Sequence, residues 1–220
     1  MLRTAIAAAL LVPAAATAGA SAATLAVNRP CYVNKFTRTS IRLAPMQITG
    51  SGYVPGDGVT ITSSDESINR IVQADSAGLI EASIGAPTPF FKPPASLRLT
   101  LTASDFSKSN GTITATTSVS VTDLAVATVP SIAPPARRVT WYFSGFDKGR
   151  YVYGHYLRHG REVARARFGR TKGDCGLLRT RAPFFPGGRQ RYASYGLQFD
   201  DARHYSRHTS PRIVTSLGPK

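Results

Sequence analysis

The densest run of chemically able side chains is Asp200-Asp201-Ala202-Arg203-His204-Tyr205-Ser206-Arg207-His208. On a helix, His204 and His208 would share a face with Asp200, a set of groups that could hold zinc. Arg203 and Arg207 flank both imidazoles and would repel a cation. The strand-like stretch 195–199 just before them argues for a loop, so the expectation is an exposed polar turn and no metal site. The sequence contains no His-Glu-x-x-His, no Gly-x-Ser-x-Gly, no phosphate-cradling glycine loop and no Cys-x-x-Cys. A Ser-His-Asp hydrolase built on His155 or His204 has no supporting nucleophile context. Asp57, Asp65, Glu66, Asp75 and Asp105 stand in turn-like contexts, where a carboxylate usually braces the backbone. Paired acids across a cleft are not evident. The chain is therefore expected to be neither an enzyme nor a cofactor protein. The rival reading is a secreted hydrolase with a site assembled from distant residues.

Arginine gives a stronger pattern. The net charge is +15, and it is unevenly spread. Residues 24–136 hold 8 Lys/Arg and 7 Asp/Glu, whereas residues 137–220 hold 18 and 5, together with all four His. Arg outnumbers Lys by 21 to 6. A GC-rich coding sequence accounts for that ratio but not for the asymmetry. Arg165 and Arg167 share one face of a strand by parity, as do Arg179 and Arg181. If those strands are neighbours, four guanidinium groups make one basic patch bordered by Tyr151, Tyr153, His155 and Tyr156. Such a patch suits a polyanion: an acidic cell-wall polymer such as a teichoic acid, another acidic polysaccharide, anionic lipid headgroups or extracellular DNA. The competing reading is a solvated outer face.

The elements that must position these groups are strands. Alternating apolar and polar residues mark 41–43, 46–48, 59–62, 79–84, 97–101 and 113–121 in the first part. The second part repeats the pattern at 139–143, 151–157, 162–168, 175–181 and 195–199, with more aromatic residues. No stretch keeps a 3.6-residue period over three turns. Three prolines within 129–136 predict an extended linker at 130–137. The expected organisation is all-β, with β-sandwich domains at 23–129 and 138–220.

Ile48-Thr49-Gly50-Ser51-Gly52-Tyr53-Val54-Pro55-Gly56-Asp57-Gly58-Val59 resembles a stretch common in bacterial immunoglobulin-like domains. The likeness extends over about residues 40–125. It implies an immunoglobulin-like β-sandwich that spaces, sticks or presents. Ser144-Gly145-Phe146-Asp147-Lys148-Gly149 echoes the same stretch and suggests a second, divergent sandwich.

Residues 1–22 read as a secretory signal peptide. Arg3 is the positive start, 5–12 the apolar run, and Ala20-Ser21-Ala22 the small-residue cleavage pattern. The run is shorter than the roughly 20 residues that span a bilayer, and no later run approaches that length. The expected location is extracellular, associated with the cell envelope. Export would put Cys31 and Cys175 in an oxidising space, where an intramolecular disulfide would join the two parts. Free thiols or an intermolecular bond are the alternatives.

Overall fold

The computed structural model describes residues 22–36, 41–88, 94–105, 112–187 and 194–217. Apart from Ala22, the stretch 1–22 expected to be a signal peptide lies outside them. Every regular element among them is a strand. In chain order these are β1 (Thr24–Val27), β2 (Cys31–Phe36), β3 (Ile41–Arg42), β4 (Pro45–Ser51), β5 (Gly58–Ser63), β6 (Asn69–Gln73), β7 (Ile80–Gly85) and β8 (Ser96–Asp105). There follow β9 (Ile113–Asp123), β10 (Ala125–Val129), β11 (Arg138–Ser144), β12 (Tyr151–Arg158), β13 (Arg161–Arg170), β14 (Leu178–Pro183), β15 (Tyr195–Asp200) and β16 (Ile213–Leu217). No helix among the described residues is long and apolar enough to cross a membrane.

The strands form four sheets: β1-β4-β7, β3-β2-β9-β8-β5-β6, β10-β11-β14 and β13-β12-β15-β16. Alternation explains how they pack. Val59 and Ile61 of β5, and Leu99 and Leu101 of β8, are fully buried, whereas Arg98 and Thr100 between them face out. The first two sheets enclose an aliphatic cluster that includes Met46, Ile48, Val119 and Val121. The other two enclose an aromatic one, in which Trp141 lies 4.8 to 6.1 Å, centroid to centroid, from Phe143, Phe168, Phe184 and Phe199. Each such buried side chain contributes about 1.5–3 kcal/mol of apolar transfer.

The two halves share one strand order. In the first, β1-β4-β7 faces β6-β5-β8-β9; in the second, β10-β11-β14 faces β13-β12-β15-β16. The crossover between sheets is also built the same way in both. In the first, Gly56 N donates to Ala74 O (3.0 Å) and Ala74 N to Asp57 O (2.9 Å). In the second, Gly149 N donates to Thr171 O (3.2 Å) and Thr171 N to Arg150 O (2.9 Å). The aromatic residues of the two motifs, Tyr53 and Phe146, are both buried. Behind each stands a glycine with positive φ: a Cβ on Gly78 would lie 2.3 Å from Tyr53 O, and one on Gly176 would lie 1.5 Å from Phe146 O. No other residue fits either place.

One difference separates the halves. In the first, the chain leaves β1, bends at Asn28-Arg29-Pro30, and adds β2 parallel to β9, with Cys31 opposite Ser120 and Asn34 opposite Asp123. Tyr32 of β2 is buried in the aliphatic cluster. The second half has no counterpart of β2 among the described residues.

Two expectations need correction. The proline-rich stretch does not run between two bodies. β10 pairs antiparallel with β11, from Ala125 opposite Ser144 to Val129 opposite Thr140, so residues 130–137 close a hairpin loop. Leu124 and Val126 already pack on the aromatic cluster, which moves the change of half back from 130–137 to Asp123-Leu124. Proline suits this loop because it needs no ladder hydrogen bond there. The strand expected from Cys175 starts instead at Leu178, because the positive φ of Gly173 and Gly176 bends 173–176 into a turn.

Candidate functional site: a basic face over a buried histidine

Ala164, Ala166 and Phe168 of β13 pack on the aromatic cluster, so the alternating Arg165 and Arg167 point outward. Arg167 stands opposite Tyr153 and Arg170 opposite Tyr151 on β12. With Arg203 from the loop after β15, Tyr153, Arg165 and Arg167 line a basin of about 350 Å3. The guanidinium groups of Arg167 and Arg170 lie 5.1 and 4.7 Å from the Tyr151 ring. Such stacking steadies a guanidinium while leaving its edge N–H groups for a ligand. Arg165 Nε is 3.9 Å from Glu162 Oε1, and its Nη1 donates to the Arg203 carbonyl. Among the described residues, Arg167, Arg170 and Arg203 have no carboxylate partner within 4.0 Å.

Beneath the basin lies a buried polar network. His155 on β12 and Gln198 and Asp200 on β15 occupy the outer face of their sheet, yet none is more than 2% exposed, because the chain after Asp200 folds back over them. His155 Nδ1 lies 3.2 Å from Glu162 Oε1, and its Nε2 lies 3.1 Å from both Asp200 Oδ1 and the Ala202 carbonyl. Carboxylate and carbonyl oxygens accept, so this setting suits a protonated ring that donates from both nitrogens. Burial alone would lower the His155 pKa, but the hydrogen bonds and charges of Asp200 and Glu162 outweigh it and raise it. Burial would raise the Asp200 pKa. Donors from His155, Gln198, Thr209 and the Ala202 amide overcome this and lower it. His155 joins both walls of the basin. Through Glu162 it reaches Arg165, and through Ala202 it fixes the chain entering Arg203.

The four arginines expected to form one patch do not. β13 pairs with β12 and β14 with β11, in the two sheets that face each other across the aromatic cluster. Arg179 and Arg181 thus point out of the opposite side of the sandwich. There Arg179 lies 5.6 Å from the Tyr142 ring, and the Arg181 carbonyl accepts from Arg138 Nη2 at 2.6 Å. The segment weighed for zinc is a loop with His204 and His208 exposed, and Asp200 turns inward to His155. Cys31 and Cys175 form a disulfide with Cα atoms 5.4 Å apart, linking β2 of the first half to the Gly173–Gly176 turn of the second. Arg203 and the role of His155 were not legible beforehand. The only available signal was a set of polar residues at strand positions, which usually means a solvated face.

A second concavity, a groove of about 800 Å3, opens between edge strands β10 and β16. The core residues Trp141, Phe184, Leu197 and Phe199 line it, with Asp123 and Arg212 also on its walls. Trp141 Nε1 and Asp123 Oδ1 are the buried side-chain polar atoms that lack a hydrogen-bond partner among the described residues, and both residues line this groove.

No family model matches the sequence, and no curated protein matches it. Among solved structures, a tetra-tandem repeat from the extending region of a large adhesion protein is similar at 13% identity and a TM-score of 0.30. That match covers 89% of this chain and 47% of the other, so the chain spans about half the length of that structure. A DUF3823 family protein from Bacteroides ovatus is similar at 12% identity and a TM-score of 0.25, covering 88% of this chain and 95% of the other. Likeness this shallow adds nothing to the strand order itself.

Proposed function

We propose that this chain is an exported, non-catalytic protein of the bacterial envelope that binds an acidic polymer through its second half. The observation that carries the reading is the basin of Tyr153, Arg165, Arg167 and Arg203, in which two of the three guanidinium groups have no carboxylate partner among the described residues. A solvated face with no ligand needs no buried histidine tied to both walls. Three arginines along about two strands match the repeated charges of a phosphate- or carboxylate-bearing chain. The first half, with a near-neutral balance, serves as a spacer, and the Cys31–Cys175 bond keeps the two halves in fixed order. The signal-peptide pattern at 1–22 supports export and cleavage after Ala22.

The test is a titration of the full exported chain with inorganic polyphosphate and with polygalacturonate over a series of salt concentrations. Each charge contact released by salt contributes about −0.7 to −0.9 to the slope of log K against log salt. Replacing Arg165, Arg167 and Arg203 by Gln is expected to weaken binding and flatten that slope by about 2. A wild-type chain that binds neither polymer would refute the reading. N-terminal sequencing of the exported product checks the cleavage site.

A further inference from the structure

We propose that the groove between β10 and β16 accepts an extended peptide strand from a partner protein, added parallel to β16, with apolar side chains at alternate positions and acidic residues at its ends. The first half shows what fills such a groove. There β9 holds the sheet position that β16 holds in the second half, and β2 lies along its outer edge, pairing in parallel from Ser120 to Asp123. β2 sends Tyr32 between the sheets, where it is 1% exposed. The second half repeats seven strands of the first and, among the described residues, has no counterpart of β2 or of the short β3. Its core residues Trp141, Phe184, Leu197 and Phe199 form the floor of the groove, each at most 7% exposed, and no strand among the described residues lies along it.

The backbone argues for a strand over other occupants. Among the described residues β10 and β16 each have a hydrogen-bonded neighbour on one side only, so each presents a row of N–H and C=O groups without ladder partners toward the groove. Strand addition satisfies that row while alternate side chains enter the core. The orphaned Trp141 Nε1 and Asp123 Oδ1 supply a donor and an acceptor on the same walls. Charge selects the partner. On the walls Arg212 is balanced by Asp123, but residues 137–220 hold 18 Lys/Arg against 5 Asp/Glu, an excess that opposes docking of a second copy and favours a strand with acidic ends. Exposed Val214, at 60%, supplies apolar contact at the rim.

Trp141 is the only tryptophan in the chain, so its emission reports on the groove. The probe is the synthetic peptide Asp-Asp-Ser-Tyr-Thr-Val-Thr-Phe-Asp-Asp, which keeps the alternation of β2, mixed with the full exported chain. The expected result is a saturable change in the emission, as Trp141 Nε1 gains a partner. A control peptide with Pro in place of Val should bind about tenfold more weakly, because proline breaks the ladder. Val214→Glu, at an exposed position that does not threaten folding, should weaken the acidic peptide by a similar factor. An emission unmoved by the peptide, or moved equally by the proline control, would overturn the proposal. So would saturable binding of sodium oleate without peptide binding, which would make the groove an acyl-chain site. Dimerisation on sedimentation that the peptide does not reverse would overturn it too, in favour of a second copy. Polyphosphate binding at the basic face is unaffected by any of these outcomes, so the two readings stand or fall separately.

Discussion

The two halves are built on one scaffold and finished differently. Both run a three-stranded sheet against a sheet that shares a four-strand order, and both cross between sheets through an aromatic residue braced by a glycine. The first is closed by β2 and has a near-neutral surface and an aliphatic core. The second is open at the same edge, basic on both outer faces, and aromatic within. The comparison shows that the strand order fixes where polar and apolar residues must go but leaves edge and outer face free to differ. Function on such a scaffold is sought where the halves diverge.

The largest effect should come from the aromatic core. Trp141→Ala is expected to cost about 3–5 kcal/mol, read from chemical denaturation. The matched crossovers come next. Gly78→Ala and Gly176→Ala each place a Cβ against a backbone oxygen at a positive φ, and each should cost about 2–4 kcal/mol. A tolerated Gly176→Ala would break the equivalence of the two crossovers. Reducing the Cys31–Cys175 bond, which closes a loop of 144 residues, should cost about 2–4 kcal/mol.

A smaller effect separates the halves by pH. His155 has a folded pKa above its ordinary 6.5, so its stabilisation is full below that value and is lost as pH rises through the folded pKa. Asp200, with a lowered pKa, loses its contribution only as pH falls below the ordinary carboxylate range. The thermal midpoint of the wild-type chain should therefore decline as pH rises above the ordinary histidine value, and His155→Gln should remove that decline. Polymer affinity should follow the same course, because deprotonation releases Glu162 to pair with Arg165 and loosens the chain at Arg203. An unchanged profile in His155→Gln would mean that the imidazolium does not hold the basin.

Much of the scaffold was legible in the alternation of residues such as Val59-Thr60-Ile61 and Val139-Thr140-Trp141, because one face of each strand is buried. β10 was not, since Ala125, Val126, Ala127 and Thr128 are all half-buried on an edge and show no contrast. β6 escaped for a related reason: Ile71 on this edge strand is 74% exposed, so its pattern misleads. The proline-rich stretch could equally join two bodies or close a hairpin, and only pairing decides. Parity correctly turned Arg165 and Arg167 to one face and Arg179 and Arg181 to one face. Which strands are neighbours is a tertiary property, and there the expected patch split. His155, Gln198 and Asp200 read as a wet outer face because a covering loop leaves no periodic trace.

The most direct test compares two sets of arginines on opposite faces of one sandwich. Polyphosphate is titrated at low salt into the wild-type chain, into Arg165→Gln/Arg167→Gln/Arg203→Gln and into Arg179→Gln/Arg181→Gln, with folding checked by thermal denaturation. The account predicts that the first variant loses about tenfold or more in affinity, on the order of 1.4 kcal/mol, and that the second stays within about threefold of wild type. Equal losses in the two variants, in proportion to the charge removed, would contradict a built site and leave only the overall positive charge of the second half.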